Sequence, residues 1–305
     1  MGSHLTDAIA AMDPPALVVA DSFFLGKREN LGAAAATYRG LVVEKVDVSD
    51  LASIEQLVDD HRIEVVFDLA TMPLPYSLEY PHTTIEQNVM MAANLAELAR
   101  RGAYQTLVHF STSEVYGTAA WNLMTEDHPL VPLTPYASSK AAADHIVESY
   151  VTTYGIDALI VRPFNNYGPR QNDGSYAGLV PITIKRALAD EPVTIFGDGS
   201  QARDFMFVRD TVEGALAAYG SPGTRGHVVN LATGIETTVN EVVNTIFEIL
   251  DMEPNVIHSD PRPGDVARHC GSADFAFKEF GFKPETSLRD GLGATVEWYR
   301  GNGSI

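Results

Sequence analysis

The first half of the chain alternates short apolar runs with longer segments of helical periodicity. Such alternation is typical of units in which parallel strands are buried on both faces and helices cover them. The predicted strands are Ala16–Ala20, Leu41–Val46, Val65–Leu69, Thr106–Phe110 and Ala158–Val161. Predicted helices between them include Thr84–Arg101 and Ser138–Tyr154. The pattern therefore predicts an α/β fold built on a doubly wound parallel sheet.

The length and composition indicate one globular unit or two closely joined lobes. The 305 residues are 45% hydrophobic, which is enough to bury a large core, and no Gly/Ser linker or internal repeat divides them. No window approaches the roughly 18 consecutive apolar residues of a membrane span, and the amino terminus lacks a secretory pattern. The single cysteine, Cys270, permits no internal disulfide and no cysteine metal cluster, so we treat it as structural and predict no metal site. We expect a cytoplasmic enzyme.

The net charge of −19 argues against two classes of partner. Nonspecific binding to nucleic acid or to an anionic membrane requires a basic surface that neutralises phosphates. We therefore predict neither a nucleic-acid partner nor a membrane partner. An anionic small-molecule ligand would have to be met locally, by the few arginines that lie in motif-like settings.

A tyrosine and a lysine four residues apart carry the strongest chemical signal. In Tyr136–Lys140 (YASSK) a helix would place both side chains on one face. A tyrosine hydroxyl titrates near pH 10, so it is a base at neutral pH only where a nearby cation lowers its pKa, and Lys140 is placed to do so. Thr112, 24 residues upstream, would supply a second hydroxyl to the same substrate oxygen. The spacing alone also occurs on solvated helix faces, but the apolar strand Thr106–Phe110 before it favours a functional site.

These residues, together with Phe110–Gly117 (FSTSEVYG), resemble the extended short-chain dehydrogenase/reductase family, specifically its NAD-dependent nucleotide-sugar epimerases and dehydratases. The resemblance runs from Met1 to about Arg300 and rests on several motifs in the expected order. It implies an NAD-binding Rossmann domain made of residues 1–163 and about 200–232. It also implies a smaller α/β lobe that binds the nucleotide sugar, made of residues 164–199 and about 233–305.

Several positions match the family's cofactor contacts. Asp21 ends its predicted strand where an acidic residue would hold the adenosine ribose diol, which favours NAD over NADP, although a simple turn residue is the alternative. Asp47 and Val48 resemble the family's adenine-binding pair, and Leu69–Thr71 resembles the loop that crosses the cofactor. The implied cofactor-binding residues are Gly2, Asp21, Asp47, Val48, Leu69, Ala70, Thr71, Tyr136, Lys140 and Phe164.

The family's glycine motif and first strand are not found ahead of Asp21. Met1–Leu5 (MGSHL) resembles the end of a family glycine loop, with Gly2 as its third glycine, 19 residues before Asp21. We expect an amino-terminal truncation that removes the first strand and most of the glycine-rich loop; a purification-tag remnant or a degenerate cofactor site is the alternative. Because that strand is central in such a sheet, its loss would leave two neighbours unpaired and remove the pyrophosphate cradle.

The second half of the chain resembles the family's nucleotide-sugar lobe. Arg203 and Arg262 match positions where the family grips a diphosphate from two sides, and arginine suits this because its planar fork binds phosphate oxygens in pairs. Core packing is the alternative for Phe196, and surface ion pairing is the alternative for either arginine. The implied substrate-binding residues are Asn165 (diphosphate), Leu179 (helix over the nucleotide), Phe196 (base), Arg203, Arg262 and Asp265 (ribose).

The resemblance implies transient oxidation of a sugar at C4. Tyr136 would remove the hydroxyl proton while hydride passes to NAD⁺, which gives a 4-keto intermediate. Glu114 lies two positions after Thr112, where the family's dehydratases carry the base for C5. Ser113 stands where one major dehydratase group has an aspartate, so that match is incomplete. The implied catalytic residues are Thr112, Tyr136, Lys140, Glu114 and Ser113.

Four functions stay open at this point. We rank an NDP-hexose (UDP-sugar) 4-epimerase first, a 4,6-dehydratase second and a UDP-glucuronate decarboxylase third, since Tyr176–Leu179 and Arg262–Val266 look more like epimerases. A non-catalytic sugar-nucleotide-binding protein is the alternative of another class. By analogy, Thr84–Arg101 and Ser138–Tyr154 form a four-helix bundle in a homodimer, and the apolar stripe Met90–Ala96 is either exposed there or faces the sheet.

Overall fold

The computed structural model describes residues 1–261 and 266–301. The helices are α1 (Gly2–Ala10), α2 (Gly32–Thr37), α3 (Leu51–His61), α4 (Leu74–Glu79), α5 (Pro81–Arg100), α6 (Pro135–Tyr154), α7 (Leu179–Leu188), α8 (Val208–Gly220), α9 (Val239–Leu250), α10 (Asp274–Phe280) and α11 (Leu288–Gly301). The strands are β1 (Leu17–Asp21), β2 (Leu41–Lys45), β3 (Val65–Asp68), β4 (Thr106–Phe110), β5 (Asp157–Pro163), β6 (Asn165–Tyr167), β7 (Val193–Phe196), β8 (Ala202–Arg203), β9 (Phe205–Phe207), β10 (Val228–Leu231), β11 (Thr237–Thr238), β12 (Val256–Ser259) and β13 (Arg268–His269). No helix in these ranges is long and apolar enough to span a bilayer.

The chain divides into two compact units, and each is made of separate segments. Unit 1 comprises residues 1–112, 134–162 and 215–229, and unit 2 comprises residues 113–133, 163–214 and 230–305. The boundaries predicted from sequence concern which segments bind cofactor and which bind sugar nucleotide. Compactness does not test that distinction, so those boundaries stay a prediction.

Unit 1 is built on parallel strands, as predicted. β1 pairs with β2 from Leu17 beside Leu41 to Asp21 beside Lys45, and β4 pairs with both β3 and β5, all in parallel. The second of these sheets has the order β10-β5-β4-β3. Within the described ranges β1 pairs only with β2 and β3 only with β4, so the strands form two sheets instead of a single continuous one.

The core of unit 1 lies around β4, where every residue is buried. Helices α3, α5 and α6 supply apolar side chains to this core, among them Ile54, Leu95 and Val147. The apolar stripe of α5 mostly faces this core, because Met91, Ala92, Leu95 and Ala96 are buried, whereas Met90 is 43% exposed.

The two long helices of unit 1 begin three residues earlier than the sequence predicted. Both begin on a proline, Pro81 for α5 and Pro135 for α6. A proline is well placed in the first turn, because its missing N–H would have no helical partner there and its φ angle already suits the helix. Thr134 also caps α6 by accepting a hydrogen bond from the backbone N–H of Ala137 at 3.1 Å. The helix ends at Tyr154, and Gly155 after it adopts the left-handed conformation with φ of 67°.

Unit 2 combines short strands with a helical core. β6 pairs with β9, β7 with β12, and β8 with both β11 and β13. One apolar cluster joins side chains of α7, α9 and α11, including Ile184, Phe247 and Val296. A capping box fixes the start of α9, because the Thr238 hydroxyl accepts from the N–H of Glu241 while the Glu241 carboxylate accepts from the N–H of Thr238.

Two glycines of α11 provide a matched test of packing in unit 2. A Cβ on Gly291 would overlap the Tyr167 hydroxyl and lie 2.9 Å from a ring carbon of Phe207, whereas a Cβ on Gly293 would have nothing within 4 Å. Alanine is favoured over glycine in a helix by about 1 kcal/mol where space allows, and overpacking a core costs about 1–3 kcal/mol. We expect Gly293→Ala to raise the free energy of unfolding in urea and Gly291→Ala to lower it. Equal effects of the two substitutions would contradict this packing.

Candidate active site

The predicted hydroxyl and lysine residues of unit 1 lie at the end of β4 and on the first two turns of α6. Ser111 and Thr112 follow β4 directly, and Thr112 is partly buried. Tyr136 lies in the first turn of α6, which the cap at Thr134 and the proline at 135 hold in place. Lys140 lies one turn further along the same face and is only 2% exposed. The structure therefore places the lysine, unusually for this residue type, inside the protein.

A chain of hydrogen bonds leads from Lys140 into the sheet. The Lys140 Nζ lies 3.3 Å from Nε2 of His109, which is the fourth residue of β4. The other ring nitrogen, Nδ1, lies 2.7 Å from Oδ2 of Asp68 at the end of β3. Asp68 and His109 are paired residues of neighbouring parallel strands, which brings their side chains together. Both are buried.

A second carboxylate lies beside this chain. Asp144, one turn after Lys140 on α6, accepts hydrogen bonds on Oδ2 from Ser111 Oγ (2.8 Å) and from Arg162 Nε (2.9 Å) and Nη2 (2.8 Å). Its other oxygen, Oδ1, lies 3.8 Å from His109 Nε2 and is buried without a hydrogen bond in the described part of the chain. Asp144 thus holds a buried ion pair with Arg162 and leaves one oxygen directed toward the histidine.

Burial governs the protonation of these groups. It lowers the pKa of Lys140, because the ammonium loses water, and the charges of Asp68 and Asp144 oppose that decrease. Burial alone would raise the pKa of Asp68, but the hydrogen bond from His109 and the positive charge carried by the His109–Lys140 pair hold it below its usual value of 3.8. Asp68 is therefore a carboxylate at neutral pH.

Sequence reasoning missed four of these residues, namely Asp68, His109, Asp144 and Arg162. Two signals were present. His109 is a polar residue inside an otherwise apolar strand, and Asp144 lies four residues after Lys140, on the same face of the predicted helix. The contact between Asp68 and His109 depends on strand register, which the sequence alone does not reveal.

The predicted residues for the adenosine end of NAD lie at the ends of β1 and β2. The Asp21 carboxylate accepts from the backbone N–H of Phe23 at 2.6 Å. A Cβ on Gly26 would lie 2.6 Å from Oδ2 of Asp21, so a larger residue at position 26 would require this carboxylate to shift. Exposed Asp47 and buried Val48 follow β2, and Asn94 of α5 donates to the backbone oxygens of Val48 (3.0 Å) and Ser49 (2.8 Å).

The remaining predicted cofactor residues of unit 1 lie on α1 and after β3. Gly2 is exposed and is the first residue of α1. Leu69, Ala70 and Thr71 form the loop after β3, which Asn88 of α5 fastens by accepting from the N–H of Met72 at 2.7 Å. A carboxylate at the end of a parallel strand, packed against a glycine, fits the ribose diol of a dinucleotide. The residues present therefore fit NAD at its adenosine end.

In unit 2 the structure brings together Ser113, Glu114, Phe164 and a histidine that sequence reasoning missed. Ser113 and Glu114 begin a short 3₁₀ turn that ends at Tyr116. His269 of β13 has Nε2 at 2.8 Å from the Ser113 carbonyl oxygen and Nδ1 at 3.9 Å from Glu114 Oε1. Its ring centre is 5.3 Å from that of Phe164. Nothing in the sequence around His269 indicated this position.

The His269 imidazole is neutral at physiological pH. Burial, together with the positive charge of Arg203, lowers its pKa from 6.5 to about 4. Because a carbonyl oxygen only accepts, the proton resides on Nε2, and the bare Nδ1 is buried without a hydrogen bond in the described ranges. Glu114 therefore faces Nδ1 of His269, a nitrogen that can accept a hydrogen bond but cannot donate one.

The predicted substrate residues occupy several elements of unit 2. Asn165 begins β6, Leu179 begins α7, Phe196 ends β7, and Arg203 ends β8. Arg203 is 8% exposed and donates from Nη1 to the carbonyl oxygen of Ala202 at 3.0 Å. Arg262 and Asp265 lie outside the described residues.

Asp204, next to Arg203, has a structural role that sequence reasoning did not assign. It is buried, and burial raises its pKa. Its carboxylate accepts from the backbone N–H groups of Thr233 (2.9 Å), Gly234 (2.8 Å) and Gly271 (3.3 Å). Asp204 thereby ties β9 to the loops after β10 and β13.

The family model that matches this chain is the NAD dependent epimerase/dehydratase family, over residues 1–232. That match covers more than half of the chain. The protein therefore belongs to the NAD-dependent epimerase/dehydratase family, and it is an enzyme with NAD as its cofactor.

Its relatives include both reaction types. The UDP-glucose 4-epimerase of Mycolicibacterium smegmatis is 34% identical over 302 residues, which cover 98% of this chain and 95% of the relative. The solved UDP-glucose 4-epimerase of Thermotoga maritima with UDP-glucose has a TM-score of 0.92 at 30% identity, covering 99% of this chain and 96% of that one. The dTDP-glucose 4,6-dehydratase of Streptomyces venezuelae, solved with NAD bound, has a TM-score of 0.92 at 29% identity, covering 99% and 94%.

Acid should destabilise the protein through His269. Its pKa is about 4 in the folded protein and 6.5 unperturbed, so the unfolded chain binds more protons between these two values. Stability is therefore lost as the pH falls through this window, by up to about 3 kcal/mol. His269→Gln can still donate to the Ser113 carbonyl but cannot take up a proton. We expect its free energy of unfolding in urea to decrease less than that of the wild type between pH 7 and pH 4.5.

The control for this measurement is His82→Gln, since the His82 side chain is 92% exposed. It should follow the wild-type pH dependence. If His269→Gln also follows the wild type, His269 does not titrate on unfolding as argued.

Proposed function

We propose that the protein is an NAD-dependent nucleotide-sugar 4-epimerase that acts through a 4-keto-hexose intermediate. The observation that carries this proposal is the pair Tyr136 and buried Lys140, one turn apart on α6 and preceded by Thr112 at the end of β4. Membership of the NAD-dependent epimerase/dehydratase family and relatives that include UDP-glucose 4-epimerases support it. A UDP-sugar is the first substrate to test.

Bound NAD supplies the hydride acceptor and donor at C4 of the sugar. The Tyr136 hydroxyl, as phenolate, takes the proton of the C4 hydroxyl and later returns it. The Lys140 ammonium stabilises that phenolate by its positive charge and binds the cofactor ribose. Thr112 donates a hydrogen bond to the same sugar oxygen. These three roles together account for reversible oxidation without net consumption of NAD.

The binding roles that we propose for the remaining residues are those that the family resemblance implies. For the cofactor we propose Asp21 at the ribose, Asp47 and Val48 at adenine, Phe164 near the nicotinamide, and Gly2, Leu69, Ala70 and Thr71 along the dinucleotide. For the sugar nucleotide we propose Asn165, Arg203 and Arg262 at the diphosphate, Phe196 and Leu179 at the nucleoside, and Asp265 at its ribose. Buried Arg203 suits the diphosphate because guanidinium keeps its charge when desolvated.

A nucleotide-sugar 4,6-dehydratase is the second candidate, and Glu114 favours it. In that reaction Glu114 would remove the proton from C5 of the 4-keto sugar, and the C6 hydroxyl would leave with a proton as water. The hydride first taken from C4 would then be delivered to C6, and a proton would return to C5. Ser113 lies where a proton donor to that hydroxyl would be needed, but a serine is a weak acid. The same 4-keto stage would serve decarboxylation of a uronic acid, which is the third candidate.

The test of this proposal is incubation with NAD and a panel of UDP-, dTDP- and GDP-hexoses and UDP-glucuronate, with products identified by mass spectrometry and proton NMR. We expect a product of unchanged mass with inverted C4. Loss of water would replace the epimerase by the dehydratase, loss of carbon dioxide would indicate the decarboxylase, and ligand binding without turnover would favour a non-catalytic protein.

Two substitutions locate the chemistry. Tyr136→Phe should lower kcat at least about 100-fold, as expected on removal of a general base. Tyr150→Phe, on the same helix, is the matched control, because the Tyr150 hydroxyl contacts Glu97 at 3.4 Å, and its kcat should stay near wild type.

Glu114→Gln should leave the kcat of a 4-epimerase within a few-fold of wild type, whereas it would abolish water loss by a dehydratase.

A cytoplasmic homodimer completes the proposal. The single cysteine, Cys270, is buried and free, as suits a reducing compartment. α5 and α6 pack against each other in unit 1, and α5 exposes Ile85 and Met90, each 43% accessible. Exposed apolar residues on a long helix suit a helix-to-helix contact between two copies.

Dimerisation can be measured by analytical ultracentrifugation. We expect the wild type to sediment as a dimer and Met90→Glu to weaken the dimer, because a carboxylate would be buried in the contact. Ile235→Glu is the control, since Ile235 is 64% exposed in unit 2 and lies on neither helix. A monomeric wild type would rule out the homodimer.

A further inference from the structure

The buried cluster around Lys140 contains five ionisable groups. Their charges cancel only if Lys140 and His109 carry one positive charge between them. Asp68 and Asp144 contribute two negative charges, and Arg162 contributes one positive charge. One further positive charge, carried by either Lys140 or His109, makes the buried cluster neutral. A second would leave an uncompensated charge inside the protein, which is strongly unfavourable.

We propose that Lys140 and His109 share one proton, which rests on Lys140 in the unliganded protein and can pass to His109. Asp68 stabilises the imidazolium that results. His109 and Asp68 are thereby positioning residues that act on Tyr136 through Lys140. The catalytic consequence rests on the proposed function, whereas the sharing of the proton does not.

The hydrogen bonds determine which nitrogen receives the proton. The carboxylate of Asp68 can only accept, so Nδ1 of His109 carries a hydrogen and donates it at 2.7 Å. The basic lone pair of the neutral ring is then on Nε2, and that nitrogen faces Lys140 Nζ at 3.3 Å. Lys140 donates into this lone pair. The carboxylate, imidazole and amine form one continuous chain.

Transfer along this chain conserves atoms and charge. An N–H bond at Lys140 Nζ breaks and an N–H bond at His109 Nε2 forms, while the electron pair of the broken bond stays on Nζ as a lone pair. The cluster remains neutral, so no charge is left uncompensated in the buried cluster. The Nε2–H formed also faces Asp144 Oδ1, which lies 3.8 Å away and is buried without a hydrogen bond in the described ranges.

The charged and titratable groups that surround the pair come from four parts of unit 1. β3 supplies Asp68, β5 supplies Arg162, and α6 supplies Asp144 and Tyr136. Tyr104, before β4, also interacts with the charge of Asp68, and burial raises its pKa. From α5 comes a neutral amide, Asn88, which donates to Ser139 Oγ at 2.9 Å, next to Lys140. Apart from Arg162, which is already counted, none of these groups carries a positive charge.

The direct test is nitrogen-15 NMR of the histidine rings in the unliganded protein at pH 7. We expect His109 in the wild type to be neutral with its hydrogen on Nδ1. In Lys140→Met the cluster lacks a positive charge, so His109 should take up a proton and become imidazolium. In the double variant Lys140→Met, Asp68→Asn the negative charge of Asp68 is also absent, so the cluster is neutral without a further proton. His109 should then be neutral again. A purely structural role would leave His109 neutral in all three proteins and would overturn the proposal.

Two controls belong to this experiment. His145 lies on the same helix with its side chain 66% exposed, so its signal should not change among these proteins. Lys278→Met removes an exposed lysine of α10 and should leave the His109 signal as in the wild type. Thermal unfolding shows that each variant is folded, and if Lys140→Met is not, the pH dependence of catalysis in a variant that keeps the lysine takes its place.

That variant is Asp68→Asn, whose amide oxygen still accepts from His109 but carries no charge. Loss of the Asp68 charge should allow Lys140 to lose its proton at lower pH. We expect the alkaline limb of the kcat profile to move down by about one pH unit, which is tenfold lower kcat at high pH, with kcat at pH 6 within about twofold. An unshifted profile would overturn the proposal. Because the NMR test needs no substrate, failure of the proposed function would not be confused with failure of this one.

Discussion

The burial of the Lys140 ammonium is the interaction on which the organisation of unit 1 depends. Removing an ion from water costs several kcal/mol, which only nearby carboxylates and hydrogen bonds offset. Those partners come from consecutive strands and one helix, so the sheet must be in one register for the lysine to be accommodated. Asp68 and His109 meet because β3 and β4 pair residue by residue. The site and the sheet are therefore specified together.

Sequence periodicity was sufficient for the five strands and two long helices predicted in this part of the chain, and insufficient for the buried cluster between them. All five predicted strands were found, with ends within two residues of the predicted ones, because buried parallel strands read as apolar runs. The helices α5 and α6 begin three residues earlier than predicted, because a proline at the first helical position extends each helix toward its amino-terminal end. The buried cluster could not be predicted, since its members come from four elements and no periodicity reports the register that joins them.

Unit 2 was harder to predict for a different reason. Its strands β8, β11 and β13 are two residues long and pair with partners far apart in sequence. A two-residue strand shows no alternation, so resemblance to a family, and not periodicity, led to Asn165, Phe196 and Arg203. Resemblance could not lead to His269, whose buried Nδ1 faces Glu114. Nδ1 of His269 can accept a hydrogen bond from the Glu114 carboxyl group but cannot donate one. The surroundings of Glu114 are therefore as informative about the reaction as its position two residues after Thr112.

The interleaving of the two units has a consequence for synthesis of the protein. The chain passes between units after residues 112, 133, 162, 214 and 229. Strand β4 is synthesised early. The elements that cover its face and edge, α6 and β5, follow only after residues 113–133, which belong to unit 2. Because long loops must close before such non-local contacts form, unit 1 cannot complete its core on the ribosome until residue 229 of 305 has been made. Until then the apolar strands of unit 1 lack part of the segments that complete their core.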